Sequence, residues 1–280
     1  MGDSAGSSSA EVRFLGNLKA SKVASVTTTA TPDVVCLRRV TFVEPDGIVA
    51  LAARLHSWSR ENSDLSVVAP EDSSIANYLA RAHLSHLLDE IGSEHNFPVV
   101  RERHLGSSLV PLMRVESVEQ AQELATAVVD FAARHNPEAA DALGAALCEA
   151  GENVGYHSGQ QYAFGLAQHY PRQQRFNFAL GDAGRGLQSS LAHKGATDDA
   201  SAIRLALTPG VSATNEKGRG YGLSSVEEQI VLGLAGKLSL LSGEAVVNAH
   251  PVTGRVHQRI DGRFDGTLVS GTFRAPPARR

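Results

Sequence analysis

Apolar and polar positions change their spacing several times along the chain, and each change predicts an element. "DVVCLRRVTFVEPDG" (Asp33 to Gly47) holds two short β-branched runs closed by a turn, a strand signature. "IVALAARLHSWSREN" follows with apolar residues at helical spacing, and "DLSVVAPEDSS" predicts a strand and loop. "SIANYLARAHLSHLLDEIG" predicts a second amphipathic helix, closed by Gly92. This strand, helix, strand, helix order predicts a small α/β unit. Residues 93–115 are expected to connect, punctuated by Pro98 and Pro111.

From Ser117 the period becomes helical. "SVEQAQELATAVVDFAARH" has Ser117 and Gln120 placed as a capping box, and "PEAADALGAALCEAGENVGYHSG" starts a further helix with Pro137 at its first turn. "QQYAFGLAQHY" and "RFNFALGD" are strand-like, and a Gly-rich loop follows them. A second Gly-rich loop opens a helix near Leu223, and "KLSLLSGEAVVNAH" through "RFDGTLVSGTFRAPP" predicts several strands. The Ser-, Ala- and Thr-rich residues 1–30 are expected to be a disordered or weakly structured lead, with one strand at most. The predicted division is therefore a lead over 1–30, an α/β unit over 31–110 and a larger α/β unit over 111–276.

Composition narrows the function classes. Of 280 residues, 42% are hydrophobic and 20% charged, enough apolar material for a core. A net charge of −4 with scattered arginines gives no basic field for nucleic acid. No apolar run approaches the roughly 20 residues of a membrane span. No basic and then apolar leader opens the chain, and Cys36 and Cys148 have no CxxC partner, so a cytoplasmic protein with free thiols is expected. Trp58 is expected to pack under the first unit.

Three stretches carry candidate chemistry. Glu149, Asn153 and His157 stand four apart on a predicted helix, a stripe climbing roughly 12 Å. An amide oxygen is a hard ligand suited to Mg²⁺ beside phosphates, and a carboxylate one turn away can orient a nucleophile or take its proton. By itself the stripe also suits a solvated polar face. "FALGDAGRGLQ" places Asp182, Gly184 and Gly186 after a strand, where an acid can accept from an exocyclic amine and glycines let a flat ring approach. A simple turn would leave the same pattern. "NEKGRGYGLSSVEEQI" places Gly218, Gly220, Gly222 and Leu223 before a helix, whose free N–H groups favour phosphate; a flexible loop is the alternative. It lacks the Lys-Ser/Thr pair of a Walker loop and the preceding strand of a dinucleotide fingerprint.

Taken in order, these motifs resemble those of the histidine-kinase-like ATPases, the Bergerat or GHKL group that includes anti-sigma-factor kinases, sensor kinases, gyrase and heat-shock chaperones. The resemblance spans about residues 112 to 275, and "FDGTLVSGTF" adds the group's glycine–threonine pair at Gly266 and Thr267. It implies an α/β sandwich with a mixed, mainly antiparallel sheet and helices on one face. It also implies that Asn153 holds Mg²⁺, Glu149 orients or deprotonates the attacking group, and His157 lies near the phosphates. Asp182 would take the adenine amino group, with Gly184 and Gly186 beside the base. Gly218, Gly220, Gly222 and Leu223 would cradle the ATP phosphates, and Thr267 would reach the adenine through water. The segment between Gly186 and Gly218, with Ser212 and Thr214, would be a nucleotide lid.

No upstream histidine has the flanking pattern of a sensor-kinase phosphoacceptor; "AHLSHLLDE" and "ARHNPEA" both depart from it. "RRVTFVEPDGIVALAARL" and "DLSVVAPEDSSIANYLARAHLSHLLDEI" resemble the STAS domains of anti-sigma-factor antagonists, although Pro45 and Asp46 stand where antagonists carry a phosphorylated Ser. The resemblances imply an ATP-binding signalling regulator that meets a protein partner, such as a sigma factor or antagonist, and that can form a homodimer. It would act either as a Mg²⁺-dependent Ser/Thr kinase or ATPase, or as an ATP-gated interaction switch without turnover.

Overall fold

The computed structural model describes residues 10–26, 31–100, 108–137, 139–140, 143–144, 162–211 and 222–275. It is a mixed α/β protein with one parallel and one antiparallel sheet. Sheet one is built from β1 (Glu11–Leu18), β2 (Val34–Val43), β3 (Ser66–Val68) and β4 (Glu94–His95), all parallel and in sequential order. Its crossovers are α1 (Ala20–Ala24), α2 (Pro45–Glu61), and the pair α3 (Ser73–Arg81) and α4 (Leu84–Glu90). Right-handed crossovers that step one strand at a time stack their helices on the same face of the sheet. Sheet one accordingly leaves Leu15 and Phe42 exposed.

Sheet two has the order β5 (Leu109–Val115), β6 (Ala163–Tyr170), β7 (Arg175–Asp182), β9 (Gly254–Arg274), β8 (Lys237–His250), with every pair antiparallel. The helices α5 (Val118–Ala133), α6 (Gly186–Leu191), α7 (Asp199–Ala206) and α8 (Gly222–Glu227) come from the same part of the chain. α8 runs on into a π-helical turn over Glu228–Gly233. α5, α7, the π turn and alternate residues of sheet two close one core, which includes Phe131, Ile203, Ile230, Phe176 and Phe273.

The opposite face of sheet two is also covered, which departs from the expectation of helices on one face. Phe164, Leu166, Ala179, Phe264 and Leu268 share a core with α2 and sheet one. α2 lies between the two sheets, so Ile48 to Ala53 are each 0% exposed. A helix apolar on every side is a buried helix, whereas helical spacing alone suggested an amphipathic one. β6 and β7 bury nearly every residue for the same reason. At the rim of this interface, Arg54 Nη1 pairs with Asp265 at 2.7 Å and Nη2 donates to the Arg263 carbonyl at 2.5 Å.

Three other differences have local causes. The lead contains the one strand allowed there, β1, whose Val12 and Phe14 alternate with polar residues and turn inward, and in addition α1, which buries Ala20, Val23 and Ala24. The single helix expected from Ser74 to Gly92 is split, with His83 in left-handed backbone at φ +65° and the Ala82 carbonyl accepting the Leu112 N–H from β5. The expected connection over 93–115 contains β4 and β5. Pro111 is tolerated because β5 is an edge strand, and its register shifts between Val110 and Met113. Ser117 caps α5, with Oγ accepting the Gln120 N–H at 3.3 Å, but the expected capping box is not closed, because Gln120 Oε1 accepts the Glu116 N–H at 2.6 Å instead of that of Ser117. Among the described residues no helix is long and apolar enough to cross a membrane.

Candidate functional site

β7 runs antiparallel to β9, and Gly181 faces Leu268, so the next residues outward are Asp182 and Thr267. β9 then pairs Thr267 with Ser242 of β8. Period-two alternation puts Asp182 on the face of Phe176, Phe178 and Leu180, Thr267 on that of Val269, and Ser242 on that of Leu238 and Leu240. The three side-chain positions therefore share one end of the helix-covered face of sheet two.

The Asp182 carboxyl is held by backbone donors. Its Oδ1 accepts the Gly184 N–H at 2.7 Å, and the Thr267 N–H donates to it as well. Asp182 keeps some contact with solvent, yet its carboxyl is desolvated enough that burial pushes it up to about 6, while the backbone donors pull it down. A carboxylate offers about four acceptor positions, so the backbone donors of Gly184, Thr267 and Asp182 itself leave one for an amine donor.

The glycines place bare backbone beside this acid. Gly186 opens α6 with φ +73°, and a β-carbon on it would stand 3.1 Å from Ser242 Oγ and 3.3 Å from the Gly266 carbonyl. Ser242 links the segments: its Oγ accepts the Leu187 N–H at 2.9 Å and donates to the Gly266 carbonyl at 2.8 Å. Ser242 is 1% exposed and carries no sequence signal, because its role depends on how β8 registers against β9.

Of the residues singled out in the sequence, Asp182, Gly184, Gly186, Gly266 and Thr267 come together. Gly222 is the first residue of α8, and Leu223 packs against the core on this same face. α8 is anchored by Arg255, whose Nε and Nη2 donate to Glu227 at 2.7 and 2.5 Å, and whose Nη2 also reaches the Leu207 carbonyl. Glu149, Asn153, His157, Gly218 and Gly220 lie outside the described residues, as do Ser212 and Thr214 of the expected lid. Among the described residues no cluster of three His, Cys, Asp or Glu could hold a metal.

In the first unit, β2 leads through Glu44 into α2, the strand-to-helix turn expected there. Asp46 on the first turn of α2 accepts the Ala20 N–H at 3.0 Å, which ties α2 to the start of α1. Burial pushes the Asp46 carboxyl up to about 6.

The sequence matches no known protein-family model and no curated protein.

Proposed function

We propose that the chain is an ATP-binding signalling regulator, with a STAS-like unit ahead of a histidine-kinase-like ATPase unit of Bergerat type. It transfers the γ-phosphate of ATP to a Ser or Thr of a partner protein, or to water. The observation that supports this most is the convergence of two motifs far apart in the chain: D-x-G-x-G at Asp182 to Gly186, and the Gly266–Thr267 pair. Together they form a partly buried acid flanked by bare backbone, a chemistry suited to the amine edge and flat face of adenine.

In this reading Asp182 accepts from the purine amino group, and Gly184 and Gly186 let the ring lie close to the chain. Gly218, Gly220 and Gly222 offer backbone N–H groups to the phosphates ahead of α8. Asn153 holds Mg²⁺, which neutralises phosphate charge when bound. Glu149 orients the acceptor hydroxyl and takes its proton, and His157 stands near the phosphates. The chain's own contribution is mostly positioning and charge neutralisation.

Calorimetric titration of the full chain with Mg·ATP, beside an assay of γ-phosphate release and transfer, tests this. Wild type binds the nucleotide, and Asp182→Asn and Asn153→Ala each weaken binding about tenfold or more. If wild type binds no adenine nucleotide at millimolar concentration, the proposal is wrong.

A further inference from the structure

A cleft of about 640 Å³ opens between the starts of α1 and α2 and sheet two. It is separate from the site at Asp182. Arg175 lines the cleft, and it and Asp182 are the first and last residues of the eight-residue β7. They therefore lie about 24 Å apart and point to opposite faces.

Strand register lays out the floor. Asn177, Thr272 and Lys237 form one row across β7, β9 and β8, and Ser270 pairs with Ser239 in the next. Thr272 Oγ1 donates to Asn177 Oδ1 at 2.8 Å, which fixes the middle of the floor. Further along, Leu268 pairs with Leu241, and Val246 and Ile260 extend this apolar end. The facing wall is Lys19 with Glu44 and Asp46, at the start of α1 and α2.

The charges in the cleft are unevenly compensated. Glu44 is engaged by Lys19 at 3.3 Å and by Asn17 at 3.1 Å. Asp46 accepts the Ala20 N–H, and its raised carboxyl weakens its negative charge in mildly acidic solution. Arg175 and Lys237 form no ion pair among the described residues. Arg175 stacks over the Tyr170 ring at 4.7 Å, while its Nε is buried with no hydrogen-bond partner. A half-buried guanidinium without a carboxylate is a strong anion receptor, since its donors form a planar fork and water screens it poorly.

We propose that this cleft binds a small organic anion, with its acidic head between Arg175 and Lys237 and its apolar body toward Val246 and Ile260. The volume lies within the roughly 300–1,000 Å³ of small-molecule sites, and the lining is largely polar, with one apolar end. An occupant touches α1 and α2 on one side and β7, β8 and β9 on the other.

The test uses the full chain and anilinonaphthalene sulfonate, an apolar body with an anionic head, read by fluorescence. One probe binds per chain, octanoate displaces it, and octylamine and inorganic phosphate do not. Arg175→Gln weakens the probe about tenfold, and the exposed Lys237→Gln about threefold because water screens that charge. Asp182→Asn leaves probe binding unchanged, and saturating Mg·ATP does not displace the probe, so this result stands apart from the nucleotide proposal. Circular dichroism checks that each variant is folded, and Lys237→Gln, at an exposed position, decides the matter if Arg175→Gln unfolds. Wild-type affinity in folded variants, displacement by Mg·ATP, or no saturable binding overturns the proposal.

Discussion

Gly266 passes so close to Asp182 that a β-carbon on it would stand 2.0 Å from the Asp182 carbonyl oxygen, with φ at +110°. The contact fixes the end of β7 against β9 and thereby aims the Asp182 carboxyl. Gly266→Ala therefore meets both a backbone clash and a conformation that an L side chain resists. We expect it to cost about 2–4 kcal/mol, measured by urea unfolding of the full chain. A loss under about 0.5 kcal/mol would mean that the two strands do not meet this way.

Burial lifts the Asp46 carboxyl from 3.8 to about 6. Between those pH values the folded chain keeps a proton that the unfolded chain has released. This acid therefore favours folding at low pH, and its contribution falls as pH rises through that window, levelling off above it. Asp46→Asn removes the titration and keeps an oxygen acceptor for the Ala20 N–H. The stability of the variant relative to wild type should rise by about 2 kcal/mol from pH 4 to pH 6 and level off near pH 7. Chemical unfolding at a series of pH values reads the difference, and parallel curves would contradict the assignment.

Arg54 and Arg259 both sit in ion pairs, but their surroundings differ. The Arg54 side chain is 13% exposed and joins α2 to β9, whereas that of Arg259 is 82% exposed and joins Glu244 on the neighbouring strand. Arg54→Ala should cost about 1–2 kcal/mol, because the Arg263 carbonyl and Asp265 lose a desolvated donor; Asp265 is itself half exposed, which limits the loss. Arg259→Ala should stay within about 0.5 kcal/mol. Equal losses in thermal unfolding would show that the joint between α2 and β9 contributes no more than a surface pair.

Glu149→Ala separates turnover from simple gating. If Glu149 positions the phosphate acceptor, the variant keeps its Mg·ATP affinity and loses γ-phosphate release or transfer by about 100-fold or more. Unchanged turnover in a folded variant would leave the nucleotide as a conformational ligand, with partner affinity as the quantity it controls.

Local signals were legible where short-range physics decides the outcome. The apolar runs of β6 and β7 are bounded by turns, and Ser117 caps α5 through a hydrogen bond three residues away. Asp182 and its glycines were equally visible, since the acid's closest partner, Gly184, is two residues along. α1 was obscured by its Ser- and Thr-rich surroundings, and β5 by Pro111, a residue that a strand accepts only where no neighbour needs its N–H.

The sequence by itself determined the element types, the order of the motifs and the apolar segments that had to leave water. Tertiary structure alone decided that α2 is enclosed by two sheets, that Ser242 joins Leu187 to Gly266, and that Arg175 and Lys237 face Lys19 across a cleft. Each of these depends on strand register and on which face of one element meets another. Those are set by hydrogen bonds and contacts between residues far apart in the chain, which period and composition do not encode.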